Sequence, residues 1–388
     1  MRLLFITDFT EQFAYRLLKG ILHYADEHGQ WVVCRMPPEH KRQVGMEGVL
    51  TFALRWKADV VIGLFDPDDD ISLFRRHGII TIAQDYISRF RDIPNITSDY
   101  FKTGELAASR FLSRGFQNFA FFGYHGVCWS DERCEGFRRT VVAAGFGTQF
   151  YRYDRQQINS LWNYDREAIG RWVRSLPKPV AIMACDDNQA SILLQACLVN
   201  GLKVPSDAAI MGVDNDEILC NMSAPTLSSI DIDIERGGFE AAAMAERMFQ
   251  DPSYQGEDII LQPLKIIPRM STNVYATRDT AILTALQFIA SHVDQKINVR
   301  DVLAEVPLSR RLLEQRFLKE TGTTLYQYIT AMRMDRFAQL LLESNDSIAN
   351  IAARLDEADT KSISRRFQAV KGCTPTEFRR RELRKLRV

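Results

Sequence analysis

A chain of 388 residues, 46% hydrophobic and 25% charged, has the composition of a soluble globular protein too long for a single core, so two or more domains are expected. No apolar run approaches the length that spans a bilayer. The 49 basic and 49 acidic side chains cancel only in sum. Residues 278–388 hold 20 Lys and Arg against 14 Asp and Glu, which turns this module and not the preceding one toward a polyanion.

The opening MRLLFITDFTEQ meets acid too early for a secretory signal, so a cytoplasmic setting is expected. Seven scattered cysteines without a C-x-x-C read as reduced thiols, and the six histidines do not pair with them at zinc-ligand spacing. No metal and no cofactor is called for.

Short β-rich runs then alternate with amphipathic stretches. LLFIT (3–7), WVVCRM (31–36), ADVVIGLF (58–65) and GIITIA (78–83) read as strands, with a helix from Gln12 to Ala25 after the first. A helix from Tyr100 to Arg114 leads into the strand NFAFFG (118–123) and a helix near Glu132–Ala144. PVAIMAC (179–185), a helix near Asn188–Asn200, and AAIMGV (208–213) follow. Buried strands separated by helices predict parallel sheets covered on both faces, and the series is long enough for two α/β lobes.

Many of these strands end at or near an acid: Asp8, Asp66, Asp85, Asp99, Asp186 and Asp214. Ligands of doubly wound folds bind outside the carboxyl ends of the strands, so facing lobes would line a cleft with carboxylates. Carboxylates accept pairs of hydrogen bonds from adjacent hydroxyls, as on a sugar, and a guanidinium donates to the remaining oxygens. The plainer reading is that each Asp only starts a helix or closes a turn.

The segments VAIMACDDNQASILLQAC, IMGVDNDEILCNMSAPTLSSIDID and PLKIIPRMST resemble the effector-binding core of the LacI/GalR repressors, whose two hinged lobes resemble periplasmic sugar-binding proteins. The resemblance spans roughly residues 1–275 and is sharpest over 179–275. It implies ligand contacts by Asp214, Asp186, Arg133 in ERCEGF, and Asp99 in ITSDYFKTGELAA. Trp129, four residues before Arg133, is the expected stacking plane, with Tyr124 and Phe13 as further aromatic candidates. Two departures stand out. The small DNA-binding headpiece of that family is expected to be absent, since strand one begins at residue 3, and Asp186 stands where an amide is frequent.

From Thr280 the strand signal ceases. VRDVLAEVPLSRRLLEQRF reads as helix, turn, helix, with Leu303, Val306, Leu308, Leu312, Leu313 and Phe317 as its core. Ser309 is the expected N-cap, and Arg310, Arg311, Glu314, Gln315 and Lys319 remain outside. A long helix over about 325–343 precedes a second unit at 347–372. There Ile348, Ile351, Ala352, Leu355, Ile363 and Phe367 face inward, leaving Thr360, Lys361, Ser362, Arg365 and Arg366 exposed. Two such helices in a basic module suit the major groove: arginine can pair with guanine, and glutamine with adenine, while serine, threonine and lysine hold phosphates. A solvated amphipathic helix is the plainer reading of either one alone.

LSRRLLEQRFLKETGTT, YITAMRMDRFAQLLLESNDSIANIA and FQAVKGCTPTEFRR resemble the DNA-binding domain of the AraC/XylS regulators over roughly 280–384. By position the resemblance assigns base and phosphate reading to Arg311, Glu314 and Gln315, then to Thr360, Lys361, Ser362, Ser364 and Arg365. Pro307 replaces a turn glycine in the first unit, and Asp356-Glu357 stands where the second commonly has Gly-Phe, predicting a weaker second unit.

DPDDDI (66–71) lacks the glycine and glutamate of a calcium loop and reads as an exposed acidic loop. His125, in GYHG, is a loop or pocket histidine.

The expected architecture is therefore a two-lobed α/β sensor over 1–275 and an all-α tandem helix-turn-helix domain over 276–388. The resemblances imply a transcription regulator that responds to a monosaccharide, D-xylose first, and that binds double-stranded DNA at repeated half-sites. They also imply a homodimer, with RNA polymerase as a further partner and no membrane. The acids by themselves also fit a glycosidase's acid–base pair, and the whole also fits a constitutive DNA-binding protein with a degenerate sensor.

Overall fold

A computed structural model describes residues 1–8, 11–155, 165–273, 279–321, 323–344, 346–357 and 359–385. It divides into two compact units, Met1–Leu112 with Gln117–Val274, and Ser113–Phe116 with Tyr275–Val388.

In the first unit the chain runs β1 (Arg2–Ile6), α1 (Gln12–His28), β2 (Val32–Met36), α2 (Pro38–Trp56), β3 (Val60–Leu64), α3 (Ser72–Arg76), β4 (Ile80–Gln84), β5 (Asn95–Ser98) and α4 (Tyr100–Ser113). A second lobe follows with β6 (Phe119–Tyr124), α5 (Cys128–Ala143), β7 (Phe150–Arg155), α6 (Arg166–Ser175), β8 (Val180–Ala184), α7 (Asp187–Val199), β9 (Ala208–Val213), α8 (Glu217–Met222) and β10 (Ser228–Ile232). Helix α9 (Ile234–Gln250) returns the chain to the first lobe, where β11 (Ile259–Leu261) is laid down, and β12 (Pro263–Ile267) goes back to the second.

Each lobe is built on one six-stranded sheet, in the orders β11-β5-β4-β3-β1-β2 and β12-β10-β9-β8-β6-β7. All pairings in the first sheet are parallel, and only β12 runs antiparallel in the second. Strands β6, β8 and β9 are buried along their whole length, which is why they read as unbroken apolar runs. The three crossings between sheets make a hinge with few connections. Asp233 N–H donates to Gln262 C=O at 3.1 Å there, and Asp99 N–H to Leu261 C=O at 2.9 Å.

The second unit is all helix among its described residues: α10 (Thr280–Ser291), α11 (Val299–Ala304), α12 (Arg310–Thr321), α13 (Leu325–Glu343), α14 (Ile348–Arg354), α15 (Thr360–Lys371) and α16 (Pro375–Lys385). Two apolar clusters hold it. Ile282, Leu286, Val302, Val306, Leu313 and Phe317 pack with the start of α13, while Phe337, Leu341, Ile351, Leu355, Ile363 and Phe367 pack around its later turns. Leu312 is only half-buried and lies outside the first cluster, because at its place on α12 it flanks the buried Leu313.

All seven cysteines are free. Among the described residues no helix is long and apolar enough to cross a membrane, and no group of His, Cys, Asp and Glu is placed to hold a metal ion.

Candidate ligand cavity and nucleic-acid surface

The carboxyl ends of β1, β3 and β4 face those of β6, β8 and β9 across a cavity of about 370 Å³. Asp8, Phe13, Asp66, Tyr124, Trp129, Arg133, Asp186 and Asp214 all line it. Asp99 does not: it opens α4 at the first crossing between the lobes, and its carboxylate accepts the Lys102 backbone N–H at 3.0 Å. An acid at a strand end faces the crevice only if its strand ends there, and β5 ends at the hinge, where Asp99 N–H donates to Leu261 C=O.

Arg133, 4% exposed, anchors the second lobe's wall. Its Nη2 donates to Asp214 Oδ1 at 3.2 Å and its Nη1 to the Cys185 carbonyl at 2.5 Å. The guanidinium lies 5.0 Å from the Tyr100 ring centre and 5.5 Å from that of Trp129. Tyr124 meets Trp129 edge to face at 5.9 Å, while its hydroxyl accepts from Gln189 Nε2 at 2.9 Å.

Asp214 has φ +94° and Asn215 φ +52°, conformations that cost an L-residue of order 1–3 kcal/mol each. Neighbours over-determine this turn. Arg16 Nη1 donates to the Asp214 carbonyl at 3.0 Å, Arg269 Nη2 to Asn215 Oδ1 at 2.9 Å, and Asp216 N–H to Asp187 Oδ2 at 2.8 Å. The strained loop aims Asp214 into the cavity and keeps it there.

Carboxylates crowded out of water hold their protons more tightly. Burial raises Asp186 to about 6, opposed by the Gln189 N–H that its carboxylate accepts at 2.6 Å as the cap of α7. Glu11 is pushed up to about 8, by burial first and then by the charges of Asp186, Asp8, Asp214 and Asp216. Burial also raises Asp85, whose Oδ1 accepts from the Tyr100 hydroxyl at 2.7 Å. A carboxyl raised in this way can donate as well as accept, which widens the hydrogen bonds the cavity can offer a ligand.

Sequence reasoning missed several cavity residues. Glu11 sits three residues beyond a strand-end acid and carries no signal of its own. Tyr100 looked like one more aromatic at a helix start. Lys41 and Arg42 lie in a helix whose apolar pattern is too weak to read. DPDDDI is solvated only in part: Pro67, Asp68 and Asp70 are exposed, but Asp69 is largely shielded and, with Asp66, binds the buried Lys41. His125 is exposed and lies outside the cavity, 3.6 Å from Asp131.

In the helical unit, α12 leaves Arg310, Arg311, Glu314 and Gln315 exposed, with Ser309 Oγ accepting the Leu312 N–H at 3.4 Å. Arg310 Nε pairs with Glu314 Oε1 at 3.0 Å along the helix surface. On α15, Lys361 and Arg365 are exposed and Thr360, Ser362 and Ser364 half-exposed. Arg366, expected in solvent, is half-buried and bound to Glu357 at 2.7 Å.

Glu357 corrects a second expectation. It is 4% exposed and replaces the expected apolar contact with two ion pairs, to Arg366 and to the buried Arg333 at 2.5 Å. Asp356 before it takes the left-handed conformation, φ +54°, which a glycine would fill without strain.

Residues 108–272 match the model of a periplasmic binding protein-like domain, and residues 302–381 that of a helix-turn-helix domain. With the two folds, these matches define the class: a transcription regulator that joins a periplasmic-binding-protein-like sensor to an AraC-type helix-turn-helix domain. Within it, the chain is similar over most of its length to the xylose operon regulatory proteins. It is 27% identical to that of Escherichia coli (strain K12) over 335 residues, 84% of each chain. To that of Haemophilus influenzae it is 28% identical over 332 residues, 83% of this chain and 84% of the other. The fold is also shared, with a TM-score of 0.59, 24% identity and 97% of both chains covered, with the solved structure of a xylose-binding transcription activator. These relatives are regulators and not enzymes, which removes the glycosidase reading of the cavity acids.

Proposed function

We propose that this chain is a cytoplasmic, D-xylose-responsive activator of pentose-catabolic genes. A monosaccharide occupies the cavity between the sensor lobes, and α12 and α15 read successive major-groove segments of repeated half-sites. It acts as a homodimer and engages RNA polymerase from the bound site. The observation that carries this reading is the cavity wall itself. Asp214 and Asp186 oppose Asp8 and Asp66 across about 370 Å³, room enough for a monosaccharide, and Arg133 and Trp129 line the same space. Paired carboxylates bind vicinal hydroxyls, the guanidinium binds the oxygens they leave, and the indole covers an apolar C–H face. The names of the relatives support xylose among such polyols.

Sugar shifts the lobes only by as much as it prefers the closed arrangement over the open one. Arg311, Glu314, Gln315 and Ser309 on the first reading helix, and Thr360, Lys361, Ser362, Ser364 and Arg365 on the second, supply base and phosphate contacts, with Arg310 tied in part to Glu314. A thermal-shift screen of the full chain against pentoses and hexoses tests the ligand. At a hundred times its dissociation constant, D-xylose should stabilise the sensor by about 2.7 kcal/mol. Asp214→Ala should abolish the shift. A shift with hexoses alone would overturn the assignment.

A further inference from the structure

Helix α2 is two helices. At Gly45 the backbone leaves helical geometry, with φ +68° and ψ +175°, in a conformation closed to most side chains. The later part, 46–56, buries Val49, Leu50 and Ala53 in the core of the first lobe. The earlier part, 38–44, is anchored differently. It buries only Pro38 and Lys41, while Val44 remains 39% exposed, so no large apolar side chain fixes it to the body. Pro37 and Pro38 stiffen one end and Gly45 releases the other.

What fixes the segment is polar. The Lys41 side chain is 5% exposed, and its Nζ pairs with Asp66 at 2.9 Å and with Asp69. Asp69 Oδ2 also accepts the Asp66 N–H at 2.8 Å, which orders the loop after β3 around the ammonium. The same segment presents Pro38, Glu39, Lys41 and Arg42 to the cavity.

We infer that residues 38–44 form a flap over the ligand cavity, latched by Lys41 to Asp66 and Asp69. Lys41 is thus a positioning residue for the ligand site proposed above, and that part of the inference rests on the sugar-sensing reading. Burying an ammonium with two carboxylates is a poor source of bulk stability but a directional one, which suits a small element that must close in one register. Asp66 serves two partners: its side chain is 39% exposed, with one oxygen on the latch and a face left for ligand. The flap therefore governs how fast ligand leaves more than whether it fits.

Two measurements on the full chain test this. Without sugar, peptide-resolved hydrogen exchange should rise roughly tenfold over 38–44 in Lys41→Met and in the matched pair Lys41→Met/Asp69→Asn, which leaves no buried charge unpartnered. Residues 46–56 should keep their protection, and Lys41→Arg should restore it over 38–44. With D-xylose as the probe, stopped-flow tryptophan fluorescence, to which Trp129 in the cavity contributes, should show dissociation roughly tenfold faster in Lys41→Met and association changed less than about threefold. Unchanged exchange over 38–44, or an equal rise through 46–56, would overturn the flap. Faster exchange with an unchanged dissociation rate would overturn its control of the ligand. If the wild-type chain binds no D-xylose, the sugar reading fails, and the exchange result still decides the latch.

Discussion

The two helix-turn-helix units of the reading domain are held by different forces. In the first, Val306 closes the turn onto Leu313 and Phe317, and the exposed Pro307 sets the chain's exit. In the second, Glu357 occupies the corresponding turn and is gripped by Arg333 from α13 and Arg366 from α15. An apolar turn gains from burial alone and tolerates small changes of shape. An ionic one fixes orientation, yet it becomes a liability as soon as one partner is removed. A degenerate duplicate can thus keep its geometry while changing what secures it.

The sharpest way to break the contrast is Glu357→Ala. It leaves Arg333 buried without a carboxylate and should cost about 3–5 kcal/mol, seen by urea denaturation with exchange localised to α14 and α15. Exchanging the set for apolar groups, as Glu357→Phe with Arg333→Met, should recover most of that loss. Acid should act on the same network. Burial alone would raise the Glu357 carboxyl, but the bonds from Arg366 and Arg333 hold it below its ordinary value of 4.5. A lowered folded-state value means the contribution is complete above 4.5 and is lost as pH falls through the folded pKa. The second unit should therefore loosen first on acidification, and Glu357→Gln should remove that dependence.

At the DNA, Arg311→Ala and Arg365→Ala should each cost about 1–3 kcal/mol at one base position. Lys361→Ala should weaken all sequences alike and lower the salt slope by about 1 in titrations at several ionic strengths. Equal losses on every sequence for Arg365→Ala would mean that the second helix grips phosphates and does not read bases. The smallest effect expected is Asp356→Gly. Relief of the left-handed strain, less the added freedom of the unfolded chain, should stabilise by about 0.5 kcal/mol, measured as a midpoint shift.

Most of the sensor's sheets were legible because their central strands are buried on both faces. LLFIT, ADVVIGLF, NFAFFG, PVAIMAC and AAIMGV each coincide with a strand to within two residues at either end. The strands that escaped are short, marginal or polar: β5 has four residues, β11 three, β7 alternates charge with aromatics, β10 buries two serines, and β12 opens on a proline and buries no residue. Helix α2 escaped because its glycine break and charged first turns erase the apolar period. At the cavity, position at a strand end found the acids that turn inward. It did not separate Asp99, whose strand ends at the hinge, from the acids of the cavity, and it could not see Glu11 or Lys41, whose surroundings are set by residues far away in sequence. In the reading head, residue types located the exposed faces, but the pairing of Arg366 with Glu357 nine residues earlier lay beyond any periodicity.

The route of the chain through the sensor also bears on how it is made. Strand β11 closes the outer edge of the first sheet beside β5, yet it is drawn from residues 259–261. On the ribosome, the first lobe must therefore wait, with β5 uncapped, while all of the second lobe except β12 is synthesised. Translation that stalls anywhere between residues 114 and 258 leaves a nascent fragment with a bare edge, open to pairing with the same fragment on a neighbouring polysome.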